Sequence, residues 1–161
     1  MSVVESKIKE LGFELPGVAK PVAAYIPAKL SGEYVYTSGQ IPIVKGELKY
    51  KGKVGATISE EEAYKAAQVC ALNCLAAIKG VIGDLDKVVE IVKVVGFVNS
   101  AAGYSMQPKV INGASELLGN IFGEKGQHAR SAVGVSELPL DAACEVELIV
   151  KTAKCCHESH C

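Results

Sequence analysis

HARSAVGVSELPLDAACEVELIVK, residues 128–151, is the stretch that decides the fold. In its second half Cys144, Val146, Leu148 and Val150 alternate with Glu145, Glu147 and Ile149, the period of two expected of a strand with one buried face. Two carboxylates therefore share one face of a strand whose other face is built for burial. Either they keep a solvated face soluble, or one of them has chemistry to perform. The first half, residues 130–137, reads as a second strand, and residues 138–141, with Pro139, supply a turn. This spacing predicts a hairpin with the two strands side by side. Register counting then puts Glu145 opposite the middle of the first strand and not opposite Arg130. An arginine flanked by Ala129 and Ser131 suits carboxylate recognition, because its planar fork donates two parallel hydrogen bonds. A structural or surface ion pair is the alternative for the same residue.

Working outward, residues 109–122 carry Ile111, Ala114, Leu118, Ile121 and Phe122 at helical spacing, with Pro108 near the first position and Gly123 and Gly126 as stops. Residues 91–98 are a dense β-branched run, a buried strand. Ser59, with Glu62 three residues on, has capping-box spacing and opens a helix that runs to about Gly83. Its stripe of Ala63, Ala67, Cys70, Cys74, Ala77 and Val81 suits close packing. Residues 22–30 and 34–40 form a hairpin about Gly32 and Glu33, and residues 42–55 a loop with room for short strands. Val3, Val4, Ile8 and Leu11, capped by Ser2 and stopped by Gly12 and Pro16, predict an N-terminal helix over about 2–12. The order is helix, two strands, helix, strand, helix, two strands. It predicts an α+β fold with helices packed on one face of a mixed sheet.

The chain has 161 residues, enough for one domain, expected over 1–152, with a tail at 153–161 expected to be disordered. Seventeen basic against eighteen acidic residues leave a net charge of −1, so nucleic acid and anionic membrane are not expected as main partners. No apolar stretch is read as approaching the roughly 20 residues of a membrane span. The N-terminus lacks a secretory apolar region, which makes the cytoplasm the default. Cys70, Cys74 and Cys144 read as buried free thiols. Cys155, Cys156, His157, His160 and Cys161 offer soft ligands, but their spacing fits no structural zinc site, and no metal is expected. No nucleophilic triad is visible, and His128 is the one histidine outside the tail. Neither a dinucleotide-binding glycine pattern nor a phosphate loop occurs.

YTSGQIP at 36–42, KVINGASELLGNIFG at 109–123, HARSAVGVSELP at 128–139 and CEVELIVK at 144–151 stand out as four segments. Together they resemble the Rid family of reactive intermediate deaminases, the YjgF-like proteins also labelled L-PSP endoribonucleases or translation inhibitors. The resemblance runs from about Pro21 to Lys151. It implies a chorismate-mutase-like α+β fold assembled as a homotrimer, with sites in the clefts between subunits. It further implies that Arg130 binds the carboxylate of 2-aminoacrylate or a related enamine or imine. Glu145 would orient the attacking water, and Tyr25, Ser38, Gly39, Asn112 and Ala132 would line the pocket. The expected products are a 2-oxo acid and ammonia, with no cofactor and no metal. The chain departs from the family pattern in three places. Ala132 stands where many members have cysteine, His128 where proline is common, and Ala23-Ala24 where Gly-Pro often precedes the pocket tyrosine. The N-terminal helix is a feature of a longer branch. A trimeric small-carboxylate binding module and an endoribonuclease are the competing expectations.

Overall fold

The structure, a computed structural model, describes residues 2–18 and 24–154. The Cys/His-rich run from 155 onward and the start of the expected 22–30 strand lie outside the described residues.

Helix α1 (Val3–Glu10) begins where expected, with the Ser2 hydroxyl accepting from the Glu5 N–H at 3.0 Å. The Asp86 carboxylate accepts from the next free amides, those of Val3 and Val4, at 2.9 Å each. These backbone bonds hold Asp86 below the usual carboxylate range. Strands β1 (Ala28–Ser31) and β2 (Tyr34–Thr37) form the expected hairpin across Gly32, which takes φ 63°. The first strand starts later than expected for a local reason. Pro27 has no N–H to offer a ladder, and the carbonyls of Ile26 and Pro27 are taken by Ser38. The expected loop at 42–55 contains a small hairpin of β3 (Ile43–Val44) and β4 (Glu47–Leu48).

Helix α2 (Glu60–Ile82) has the complete capping box: Glu62 N–H donates to Ser59 Oγ at 3.1 Å, and Ser59 N–H to the Glu62 carboxylate at 3.0 Å. By length and mean hydropathy (1.3 over its best window) α2 would pass for a membrane span, which corrects the expectation that no such stretch exists. Its alanine and cysteine face is instead buried on the sheet and on α3 (Gln107–Phe122). Gly113 permits the helix contact, since a Cβ there would lie 2.1 Å from the Tyr64 carbonyl oxygen.

The main sheet has the order β1-β2-β7-β5-β6, with β5 (Val88–Asn99), β6 (Ala129–Val135) and β7 (Cys144–Thr152). Strand β5 runs parallel to β6 and antiparallel to β7, and α3 is the crossover between β5 and β6. The sheet is mixed and the helices cover one face, as the element order predicts. The expected hairpin of β6 with β7 does not form: β5 lies between them. The eight residues from 136 to 143 span the roughly 10 Å between second-neighbour strands. Leu140 (φ 59°) and Asp141 (φ 61°) turn the chain, and the path is tied down by Gly52 N–H to Asp141 O and Ala143 N–H to Tyr50 O.

Candidate functional site

Parity along the strands sorts the candidate residues onto two faces. Cys144, Val146, Leu148 and Val150 are fully or almost fully buried beneath the helices, so Glu145 and Glu147 point to the open face. Across the sheet Arg130 pairs with Val94, and Val94 with Leu148, both buried. Arg130 therefore lies on the helix face, at the edge strand.

Its surroundings come from α3. Asn112 and Ser115 lie one turn apart on the helix side that meets β6. Arg130 Nη1 donates to Asn112 Oδ1 at 2.8 Å and to Ser115 Oγ at 3.2 Å. Ser115 Oγ is in turn 2.8 Å from His128 Nε2, and His128 Nδ1 is 2.6 Å from the Gly126 carbonyl oxygen. Arg130 is the chain's single arginine, and among the described residues it pairs with no carboxylate. Both Nη1 protons are used, and among the described residues the Nε and Nη2 donors have no hydrogen-bond partner. Ala132, two residues on, shares the face and packs against the core.

The second group gathers around Glu145. Gln40 and Val146 exchange backbone hydrogen bonds at 2.8 and 3.0 Å, which lays residues 38–40 beside β7. The carboxylate of Glu145 folds over Gly39, where a Cβ would meet its Oε1 at 2.1 Å. Close approach, rather than backbone freedom, is what glycine provides here. Ser38 donates its hydroxyl to Ile26 O at 2.7 Å and its N–H to Pro27 O at 2.8 Å. This holds the segment carrying the exposed Tyr25 next to Gly39. Burial, and secondly repulsion from Glu147, push the Glu145 carboxyl above its ordinary value of 4.5.

The structure thus brings Arg130, Asn112 and Ala132 together, and Tyr25, Ser38, Gly39 and Glu145 together, but not the two groups with each other. Glu145 is level with Phe97 and Val133, three residues along and two strands across from Arg130. The backbones are on the order of 14 Å apart, and the side chains leave opposite faces. Cavities lined by Glu60, Tyr64 and Lys109, and by Lys53, Tyr104 and Gln107, include neither residue. Sequence reasoning missed Ser115, and it marked His128 only as a departure from the family pattern, without its contact to Ser115. Nothing in spacing joins a mid-helix serine to a histidine ahead of an edge strand, although their two segments, 109–123 and 128–139, were both singled out. The thiols of Cys70, Cys74 and Cys144 are buried as expected, with Cys70 and Cys144 Sγ 3.8 Å apart. Burial pushes the Cys74 thiol up to about 12, away from reactivity.

A family model described as "YjgF/chorismate mutase-like, putative endoribonuclease" matches residues 5–152. Protein TCP17 of Trypanosoma cruzi is 40% identical over 157 residues, covering 94% of this chain and 98% of its own. The crystal structure of Atu1372 from Agrobacterium tumefaciens superposes with a TM-score of 0.89 at 43% identity, over 94% of this chain and 93% of that one. A Shewanella oneidensis protein superposes with a TM-score of 0.89 at 35% identity, over 93% and 99%.

Proposed function

The chain belongs to the YjgF/chorismate mutase-like family, and from that premise we propose that it is a cofactor-free deaminase that hydrolyses small carboxylated enamines and imines of the 2-aminoacrylate type. Arg130 receives the substrate carboxylate on its Nε and Nη2 donors. After the enamine tautomerises to the imine, water held by Glu145 adds to the imine carbon and gives up a proton to the carboxylate. That proton passes to the nitrogen, and the carbinolamine collapses to a 2-oxo acid and ammonia. Since imine hydrolysis already proceeds in water, orientation and proton transfer suffice.

The observation that carries the reading is the single arginine, its side chain braced on one edge by neutral acceptors and its other edge without a carboxylate partner among the described residues. A proton acceptor of raised pKa waits in a separate half-site. The two halves leave opposite faces of one sheet, so a complete site is formed between copies: Arg130, Asn112 and Ala132 from one, Tyr25, Ser38, Gly39 and Glu145 from the next. A closed ring of three such copies, a homotrimer with three equivalent clefts, is the assembly we propose. The endoribonuclease reading in the family description finds little footing in a chain of net charge −1 with one arginine.

The test is the rate of 2-oxo acid formation from 2-aminoacrylate and its four-carbon homologue, generated in situ by a serine/threonine dehydratase. Acceleration by the chain, and its loss in Arg130→Ala by about a hundredfold or more in kcat/KM, is the expected result. Equal acceleration by Arg130→Ala would sink the mechanism.

A further inference from the structure

Three polar groups stand in line behind Arg130, and their directions are fixed at one end. A backbone carbonyl only accepts, so the 2.6 Å contact with Gly126 O makes His128 Nδ1 the donor. In the neutral ring Nε2 is then the bare acceptor, and the Ser115 hydroxyl 2.8 Å away donates to it. With its proton so committed, Ser115 Oγ turns a lone pair to Arg130 Nη1 at 3.2 Å. The anchor of the line is rigid. Gly126 packs so closely against α3 that a Cβ on it would lie 2.5 Å from the Leu118 carbonyl oxygen.

We infer that Ser115 and His128 are positioning residues: a relay from the Gly126 carbonyl through His128 and Ser115 to Arg130 that sets the plane of the guanidinium and so presents its Nε–Nη2 edge to a carboxylate. This rests on the reading of Arg130 as the carboxylate anchor. Asn112 alone, 2.8 Å from Nη1, fixes one direction in that plane; a planar group needs a second acceptor to stop it rotating about the first bond. The relay supplies it without a negative charge, which would compete with the substrate for the guanidinium.

A serine beside a histidine also suggests a nucleophile, but the surroundings are wrong for one. Ser115 sits in the middle of α3 (Gln107–Phe122), where backbone N–H groups are spent on the helix ladder and none is left to hold an oxyanion. Its oxygen, moreover, accepts a hydrogen bond from Arg130.

The experiment compares Ser115→Ala, His128→Leu and His128→Gln with the parent and with Arg130→Ala. It uses calorimetric binding of 2-oxobutyrate and steady-state kinetics on the enamine, after thermal unfolding has verified the fold of each. We expect Ser115→Ala and His128→Leu each to weaken 2-oxobutyrate binding and raise KM by about tenfold, with kcat changed little. The double variant should be no worse than either single one, because both cut the same line. His128→Gln, whose amide oxygen can accept from Ser115, should recover most of the loss. Loss of binding in Arg130→Ala with unchanged binding in Ser115→Ala and His128→Leu would overturn the relay alone. Unchanged binding in Arg130→Ala would overturn the relay and the carboxylate anchor together. A collapse of kcat in Ser115→Ala at unchanged KM, with covalent labelling of Ser115 by a serine-directed phosphonofluoridate, would replace positioning by nucleophilic catalysis.

Discussion

Glu145 has its acidity set by two effects of different kinds. Its half-buried position disfavours the charged form first, and Glu147 on the same open face adds repulsion, so its carboxyl titrates above 4.5. As the proposed base it works only when ionised, so activity should be lost as pH falls through that raised value. The acid limb of kcat/KM is expected above pH 4.5, and Glu147→Gln, which removes the repulsion but not the burial, should move it to lower pH while leaving it above 4.5. A limb unmoved by Glu147→Gln would assign the titration to another group. At this scale the sequence was half informative. Two carboxylates on one face of a strand stand out because their alternation with Cys144, Val146 and Leu148 is regular. Asn112 is legible only through the family resemblance, while Ser115 does not stand out at all and His128 does so only as a departure from a common proline, because nothing joins them to Arg130 until α3 and β6 are packed together.

Elements follow the chain's own signals where those signals are local. The Ser59/Glu62 box, Pro108 in the first turn of α3 and the Gly32 turn each act within a few residues, and each stands where the sequence reads it. The pairing of β6 with β5 is a non-local choice. Pro139 and its neighbours are compatible with a tight turn or with a short bridge over one strand, and only tertiary context selects the bridge. Helix contact depends on small residues in the same non-local way. At Gly113 an added methyl would lie 2.1 Å from the Tyr64 backbone oxygen, an atom that cannot rotate aside. Gly113→Ala should therefore destabilise the chain by about 2 kcal/mol despite its better helix propensity. Chemical denaturation would measure this, and a neutral or stabilising result would mean that α2 and α3 are free to separate. The neighbouring Asn112 side chain would then lose its defined place against Arg130.

On the scale of the molecule the sheet is two-sided in chemistry as well as in burial. One face is closed by α2 and α3. The other leaves Tyr34, Tyr36 and Val133 between 38% and 46% exposed, around the half-buried Phe97, Ile149 and Glu145. An apolar, β-rich face of this kind is suited to a second copy. If the proposed cleft takes Arg130 from one copy and Glu145 from the next, the two defects can be carried on different chains. Arg130→Ala and Glu145→Gln homotrimers should each be inactive. In a trimer reassembled at random from equal amounts, a cleft is intact when its Arg130 side comes from the Glu145→Gln chain and its Glu145 side from the Arg130→Ala chain. That happens in about a quarter of clefts, so mixing two inactive preparations should restore about a quarter of the parent activity. Native mass spectrometry would establish that the chains have mixed. Mixed trimers without activity would mean that each copy uses its own Arg130 and Glu145. That requires a substrate or a rearrangement able to bridge opposite faces of the sheet, and the proposed site between copies would have to be abandoned.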